Sequence, residues 1–139
     1  MKAFIFDWNG TIVDHNSTPY PDAKTTLLSL KERGDFLGVI STASLAYIEE
    51  SGHGYGLTDL FDVAITSSMN KSRDIEAIMK TYELDPSQTY YVGDTVYDVS
   101  SASAANVISV GLDKDPKQPL AKSGAAHTIK SLSDLLDLA

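Results

Sequence analysis

The chain contains no cysteine, which excludes both a disulfide framework and thiolate metal sites. It has no apolar run near the roughly 20 residues that a membrane-spanning helix needs. Its opening run, Ala3-Phe4-Ile5-Phe6, is only strand-length and ends on a carboxylate. A secretory leader needs a longer apolar stretch and a small-residue cleavage site. Cytoplasmic residence without membrane association is therefore the expectation. Positive charge is also scarce, since 11 Lys and Arg against 19 Asp and Glu leave a formal charge of −8. The phosphates of DNA or RNA would be repelled on average, so nucleic acid is a disfavoured partner. Phosphate chemistry is not thereby excluded, because a metal ion and a few donors can invert the field at one site.

The 139 residues, 42% hydrophobic and 22% charged, suit one globular domain over the whole chain, with one sizeable core. Short apolar runs alternate with segments of helical period. Strands are expected at Lys2–Phe6, Phe36–Ile40, Val63–Thr66, Thr89–Val92, Val107–Val110 and Thr128–Ile129. Helices are expected from Pro21-Asp22 to about Arg33, at Leu45–Glu50, Arg73–Tyr82 and Val96–Ala105, and around Leu132–Leu138. Asp7–Tyr20 reads as a loop. This alternation predicts a doubly wound, Rossmann-like α/β domain, with a parallel sheet covered by helices on both faces.

In such folds ligands bind beyond the carboxyl ends of the strands, so the residues that follow each strand carry the functional information. Strand one runs into Asp7-Trp8-Asn9-Gly10-Thr11 and strand two into Ser41-Thr42. Strand four runs into Gly93-Asp94, with Asp98 four residues on. An isolated Asp after a strand is usually a turn or cap residue. Asp7, Asp94 and Asp98, however, fall at one sheet edge, with Asp94 at the cap of the following helix and Asp98 one turn in. Three carboxylates brought together need a cation, and an all-oxygen ligand set favours Mg²⁺. Ser41 reads equally well as a helix cap, Lys71 alone as a solvated loop lysine, and Thr11 as structural. Trp8 either packs under the loop or faces the opening. His15, His53 and His127 lack metal-ligand spacing.

Phe6-Asp7-Trp8-Asn9-Gly10-Thr11 resembles the first motif of the haloacid dehalogenase superfamily, whose phosphatases usually read Asp-x-Asp-Gly-Thr. Val39-Ile40-Ser41 is similar to the second motif. Lys71 stands where the third-motif lysine is expected, ahead of the helix before strand four. Val92-Gly93-Asp94-Thr95-Val96-Tyr97-Asp98 resembles the fourth, Gly-Asp-x-x-x-Asp.

The resemblance implies a Mg²⁺-dependent phosphomonoester hydrolase in which Asp7 is the nucleophile and becomes an aspartyl-phosphate. Mg²⁺ would be held by Asp7, the Asn9 carbonyl and Asp94, with Asp98 assisting directly or through water. Ser41 would bond a phosphoryl oxygen and Lys71 would neutralise charge between that group and Asp7. Trp8, Gly10 and Thr42 would border the substrate.

Asn9 departs from the pattern. The family's Asp at this position is a general acid and base, and a carboxamide cannot transfer that proton. Slow turnover is one expectation, with Asp14 or His15 as other sources of the proton. The alternative is an impaired phosphoryl- and Mg²⁺-binding protein with a regulatory or interaction role. The stretches between the motifs are too short for a folded cap, so an open site is expected. The substrate is then a phosphorylated small molecule or a phosphoprotein, and a homo-oligomer in which a neighbour covers the site is a further option.

Overall fold

The computed structural model describes residues 1–116 and 119–138. Six strands form one sheet, and every pairing in it is parallel. The strands are β1 (Ala3–Phe6), β2 (Phe36–Ile40), β3 (Val63–Ile65), β4 (Thr89–Gly93), β5 (Ile108–Leu112) and β6 (His127–Ile129), in the order β3-β2-β1-β4-β5-β6. Strand β1 lies between β2 and β4, with Phe6 beside Val39 and Val92. The chain winds outward from β1 in both directions, and the crevice where a ligand is expected opens at the carboxyl end of β1.

The uninterrupted apolar run of β1 follows from burial on both faces. Phe4 and Phe6 point into one core layer with Leu27 and Leu30 of α1 (Ala23–Glu32) and Ile48 of α2 (Leu45–Gly52). Ala3 and Ile5 point into the opposite layer, with Ile75 and Ile78 of α3 (Lys71–Tyr82) and Ala102 of α4 (Val96–Ala104). The period-2 alternation of a strand thus serves two helical layers.

The expected architecture is present, with local corrections. The segment expected as a final helix is a 3₁₀ stretch, Leu132–Asp137. Leu132 and Leu135 are both fully buried, and a spacing of three aligns them on one 3₁₀ face, while so few residues scarcely repay α-helix nucleation. Helix α3 starts two residues earlier than expected, because the Asn70 side chain caps it by accepting from the Arg73 N–H at 3.1 Å. Lys71 is therefore the first helical residue and not part of the preceding loop.

The segment after β1 is more ordered than a plain loop. The Trp8 carbonyl accepts from the N–H groups of Thr11, Ile12 and Val13, and Val13 makes isolated bridges with Asn9 and Pro19. Ile12 and Val13 are fully buried beneath it. Trp8 does not border the substrate opening. Its ring is wholly buried, packs edge-on against Phe61 and donates through Nε1 to Ser51 Oγ at 2.8 Å. An indole is too large and apolar to leave at a polar rim when a pocket beneath can take both its ring and its N–H.

Ser51 also donates to the Tyr47 carbonyl at 2.7 Å, so one hydroxyl ties the site loop to α2. Ser51→Ala leaves the buried indole N–H without an acceptor and should destabilise the protein by about 1–3 kcal/mol. Chemical denaturation followed by the fluorescence of Trp8, the only tryptophan, measures this directly.

Candidate active site

Asp7 follows the last residue of the central strand, and its N–H still donates to Val92 O at 2.9 Å. The backbone therefore holds it in register with β4. Its Oδ1 accepts from the Trp8 N–H at 2.8 Å and lies 3.1 Å from Lys71 Nζ. Lys71 Nζ is also 2.8 Å from Asp98 Oδ1, and the lysine is only 3% exposed. Lys71, a solvated loop lysine when read alone but set beside Asp7 by the family resemblance, is thus a buried cation between two carboxylates.

Asp98 is held by protein donors on both oxygens. Oδ1 accepts from Lys71 and, at 3.3 Å, from the Tyr91 phenol. Oδ2 accepts from the Thr95 N–H and hydroxyl at 3.2 and 2.8 Å, while Thr95 Oγ1 accepts from the Asp98 N–H. This is a reciprocal capping box with Thr95 as N-cap. Asp94 is therefore not the cap residue expected from sequence but precedes it. Gly93 has a packing reason: a Cβ there would collide with the Asp98 side chain.

Asp94 faces the metal-competent space. Its Oδ1 is buried without a hydrogen-bond partner, and Oδ2 lies 3.9 Å from His15 Nε2. Gly10 turns through a left-handed conformation, φ 79°, and a Cβ there would collide with the Asp94 carboxylate. One oxygen from each of Asp7, Asp94 and Asp98 falls within a 4.8 Å cluster. An orphaned buried carboxylate oxygen inside a hard-oxygen set is the environment a divalent cation satisfies. The residues present therefore fit Mg²⁺.

Electrostatics agree with the geometry. Burial, then the charge of Asp98, raises the Asp7 carboxyl to about 7, against the opposing pull of Lys71. Burial and Asp98 likewise raise Asp94. Desolvation alone would lower Lys71, but the charges of Asp7 and Asp98 outweigh it and the ammonium is held above its ordinary value. Three carboxylates against one ammonium give this cluster an excess of acidic groups.

On the β2 side, Ser41 is 2% exposed and its Oγ accepts from the Ala43 N–H at 3.0 Å, whereas Ser44 caps α2. Thr42 is exposed at the rim. Asn9 is half-buried, with Oδ1 accepting from the Tyr47 phenol at 2.8 Å. Of the two alternative proton sources on the loop, Asp14 is committed to the N–H groups of Asn16 and Thr18, and His15 is largely exposed beside Asp94. Tyr47, Tyr91 and Thr95 were not among the expected site residues. Only the Thr95–Asp98 spacing carried a sequence signal, as a capping-box pattern.

Residues 1–112 match the model of the haloacid dehalogenase-like hydrolases. A phosphoglycolate phosphatase from Colwellia psychrerythraea is 31% identical over 101 residues, covering 69% of this chain and 45% of that protein. Another from Synechococcus elongatus is 29% identical over 121 residues, covering 84% and 57%. The chain thus spans about half the length of these curated relatives. A haloacid dehalogenase-like hydrolase from Streptococcus pneumoniae superposes with a TM-score of 0.85 at 15% identity, over 99% of this chain and 98% of that one, and so shares its fold.

Because the folded-state pKa of Asp7 lies above its unfolded value, the group favours folding at pH values where it is protonated, and that contribution is lost as pH rises through about 7. In EDTA, Asp7→Asn should therefore stabilise the protein at pH 8, by roughly 2–4 kcal/mol at most, with the gain shrinking toward pH 5. Thermal melts of both proteins across that range test the sign. With a buried Asp7–Lys71–Asp98 cluster at the carboxyl end of its central strand and a matching family model over residues 1–112, this chain belongs to the haloacid dehalogenase-like hydrolases.

Proposed function

We propose that this chain is a Mg²⁺-dependent phosphomonoesterase that works through phosphorylation of Asp7. The observation that carries the reading is the contact of Asp7 with buried Lys71 at 3.1 Å, beside the partnerless Asp94 oxygen. Asp7, Asp94 and the Asn9 carbonyl would hold the metal, which when bound offsets carboxylate charge and that of the phosphoryl oxygens. Asp98, with both oxygens engaged by protein donors, keeps Lys71 in place and is better suited to that task than to direct ligation.

In this reading the Asp7 carboxylate forms a bond to phosphorus as the bond to the leaving oxygen breaks, and the leaving group departs with the electron pair. Lys71 counters charge on Asp7 and on the transferred group, and the Ser41 hydroxyl, buried at the end of β2, donates to a phosphoryl oxygen. Water then attacks the acyl-phosphate and releases inorganic phosphate with the free carboxylate. Such transfers depend mainly on positioning and charge stabilisation.

A small phosphorylated acid is the favoured substrate class. The curated relatives described above are phosphoglycolate phosphatases. A cavity of about 320 Å³ adjoins Asp94 and Gly10, with His15, Tyr20, Lys114 and Asp115 in its walls, and offers room and the Lys114 ammonium for an anionic leaving portion. Among the described residues no folded insert covers the site between β1 and α1 or between β2 and β3, which keeps a phosphoprotein substrate in play. A second reading, a phosphoryl-binding protein with little turnover, is favoured by one observation: the residue two after Asp7 is a carboxamide, with no proton to give.

Hydrolysis of p-nitrophenyl phosphate, phosphoglycolate and a phosphopeptide with Mg²⁺ separates these readings. Turnover should disappear in EDTA and fall by about 10³-fold or more in Asp7→Asn. Asn9→Asp should raise kcat by ~10²–10⁴ on substrates with poor leaving groups, and by much less on p-nitrophenyl phosphate. Absence of metal-dependent turnover in both this chain and Asn9→Asp would leave the binding role.

A further inference from the structure

The Tyr47 phenol connects the segment after β1 to the residue that departs from the family pattern. Its hydroxyl lies 2.8 Å from Asn9 Oδ1 and 2.6 Å from Ser17 Oγ. A carboxamide oxygen only accepts, so the single phenolic proton goes to Asn9 and the Ser17 hydroxyl donates to the phenol oxygen. The chain of bonds therefore has one direction, from Ser17 through Tyr47 to Asn9. Ser17 holds its place from a left-handed backbone, φ 66°, which is unfavourable for a residue with a side chain. Its N–H is tied to Asp14 O at 3.0 Å, and the Asp14 carboxylate fixes the neighbouring N–H groups of Asn16 and Thr18. Tyr47 is likewise anchored, because its own N–H donates to the Ser44 cap at 3.2 Å.

A carboxamide has two chemically opposite ends, and fixing one fixes the other. With Oδ1 occupied by Tyr47, the Asn9 NH₂ is turned away from the phenol and meets no protein acceptor among the described residues. Released from Tyr47, the amide could rotate to set its oxygen against phosphoryl oxygens, an arrangement of acceptor against acceptor.

We propose, building on the phosphatase reading, that Tyr47 is a positioning residue that locks the Asn9 carboxamide with its NH₂ toward the phosphoryl group at Asp7. Ser17 couples the surrounding segment to that lock. Position 9 then acts as a fixed hydrogen-bond donor that stabilises charge on a phosphoryl or leaving oxygen without transferring a proton. The substitution of a carboxamide for the family's acid thereby keeps a role in binding and charge stabilisation while giving up acid–base work.

Tyr47→Phe removes one oxygen and keeps the ring. With Mg²⁺ present, the affinity for inorganic phosphate and the kcat on p-nitrophenyl phosphate should each fall about three- to tenfold, the cost of one oriented hydrogen bond. Ser17→Ala should act in the same direction, and it decides the matter if Tyr47→Phe fails to fold. In an Asn9→Ala background the Tyr47→Phe effect should vanish. The Asn9 side-chain amide resonances, assigned through Asn9→Ala, should move both in Tyr47→Phe and on adding phosphate to the unaltered chain. Unchanged phosphate affinity in Tyr47→Phe, or an equal loss when Asn9 is already absent, overturns the inference, and the phosphatase reading survives if Asp7→Asn still abolishes turnover. A chain that never turns over but shows the coupled phosphate affinities overturns the phosphatase reading and keeps Tyr47 in its place.

Discussion

Three clustered carboxylates, two of them on one buried ammonium, are the constraint on which the rest of this structure depends. Asp7, Asp94 and Asp98 gather within one cluster, and Lys71 is the cation paired with Asp7 and Asp98. Ion pairs removed from water lose solvation that their mutual attraction repays only when the remaining hydrogen-bonding capacity is filled. Asp98 meets that condition through Tyr91 and Thr95. Asp94 does not, and its unpartnered oxygen locates the deficit. The site is thus held together around Lys71, with three carboxylates against one ammonium.

The sheet makes that concentration of charge tolerable. Parallel strands end together, so the segments after β1 and β4 and the start of α3 meet at one edge without a long excursion. Lys71 begins α3 and Asp98 lies in the first turn of α4. A helix N-terminus favours anions, so α4 supports Asp98, whereas α3 places a lysine where its own dipole is unfavourable. Only the two facing carboxylates make that placement stable, which explains why the lysine is so deeply engaged. Gly10 and Gly93 complete the arrangement, because side chains at either position would collide with the Asp94 or Asp98 carboxylates.

Legibility in the sequence divides along the same physical line. Features fixed by local chemistry could be read: the apolar run of β1 ending at Asp7, the Gly-Asp spacing after β4, and the alternation that implies a parallel sheet. Features fixed by long-range packing could not. The burial of Trp8 depends on Ser51 and Phe61, which come together with it only in the folded chain. Lys71 taken alone reads as a solvated lysine, and only the family resemblance set it beside Asp7, because its partners lie far away in sequence. Tyr47 sits 38 residues from Asn9, and nothing in the period of α2 distinguishes it from any other half-buried tyrosine.

In the proposed reaction the raised pKa of Asp7 would link metal binding to chemistry. A carboxyl held at about 7 by burial and by Asp98 is about half protonated near neutrality, and in the proposed reaction its protonated form would be the poorer nucleophile. A divalent cation held there would favour the anion and offset the repulsion from Asp98. In the proposed reading, metal binding, ionisation of Asp7 and relief of its repulsion from Asp98 would therefore be one equilibrium viewed from three sides. By linkage, protons would then oppose metal binding below the Asp7 pKa. The carboxamide at position 9 fits this scheme. A fourth carboxylate beside Asp7 and Asp94 would deepen the charge excess, whereas Asn9, held by Tyr47, adds hydrogen-bonding capacity with no charge at all.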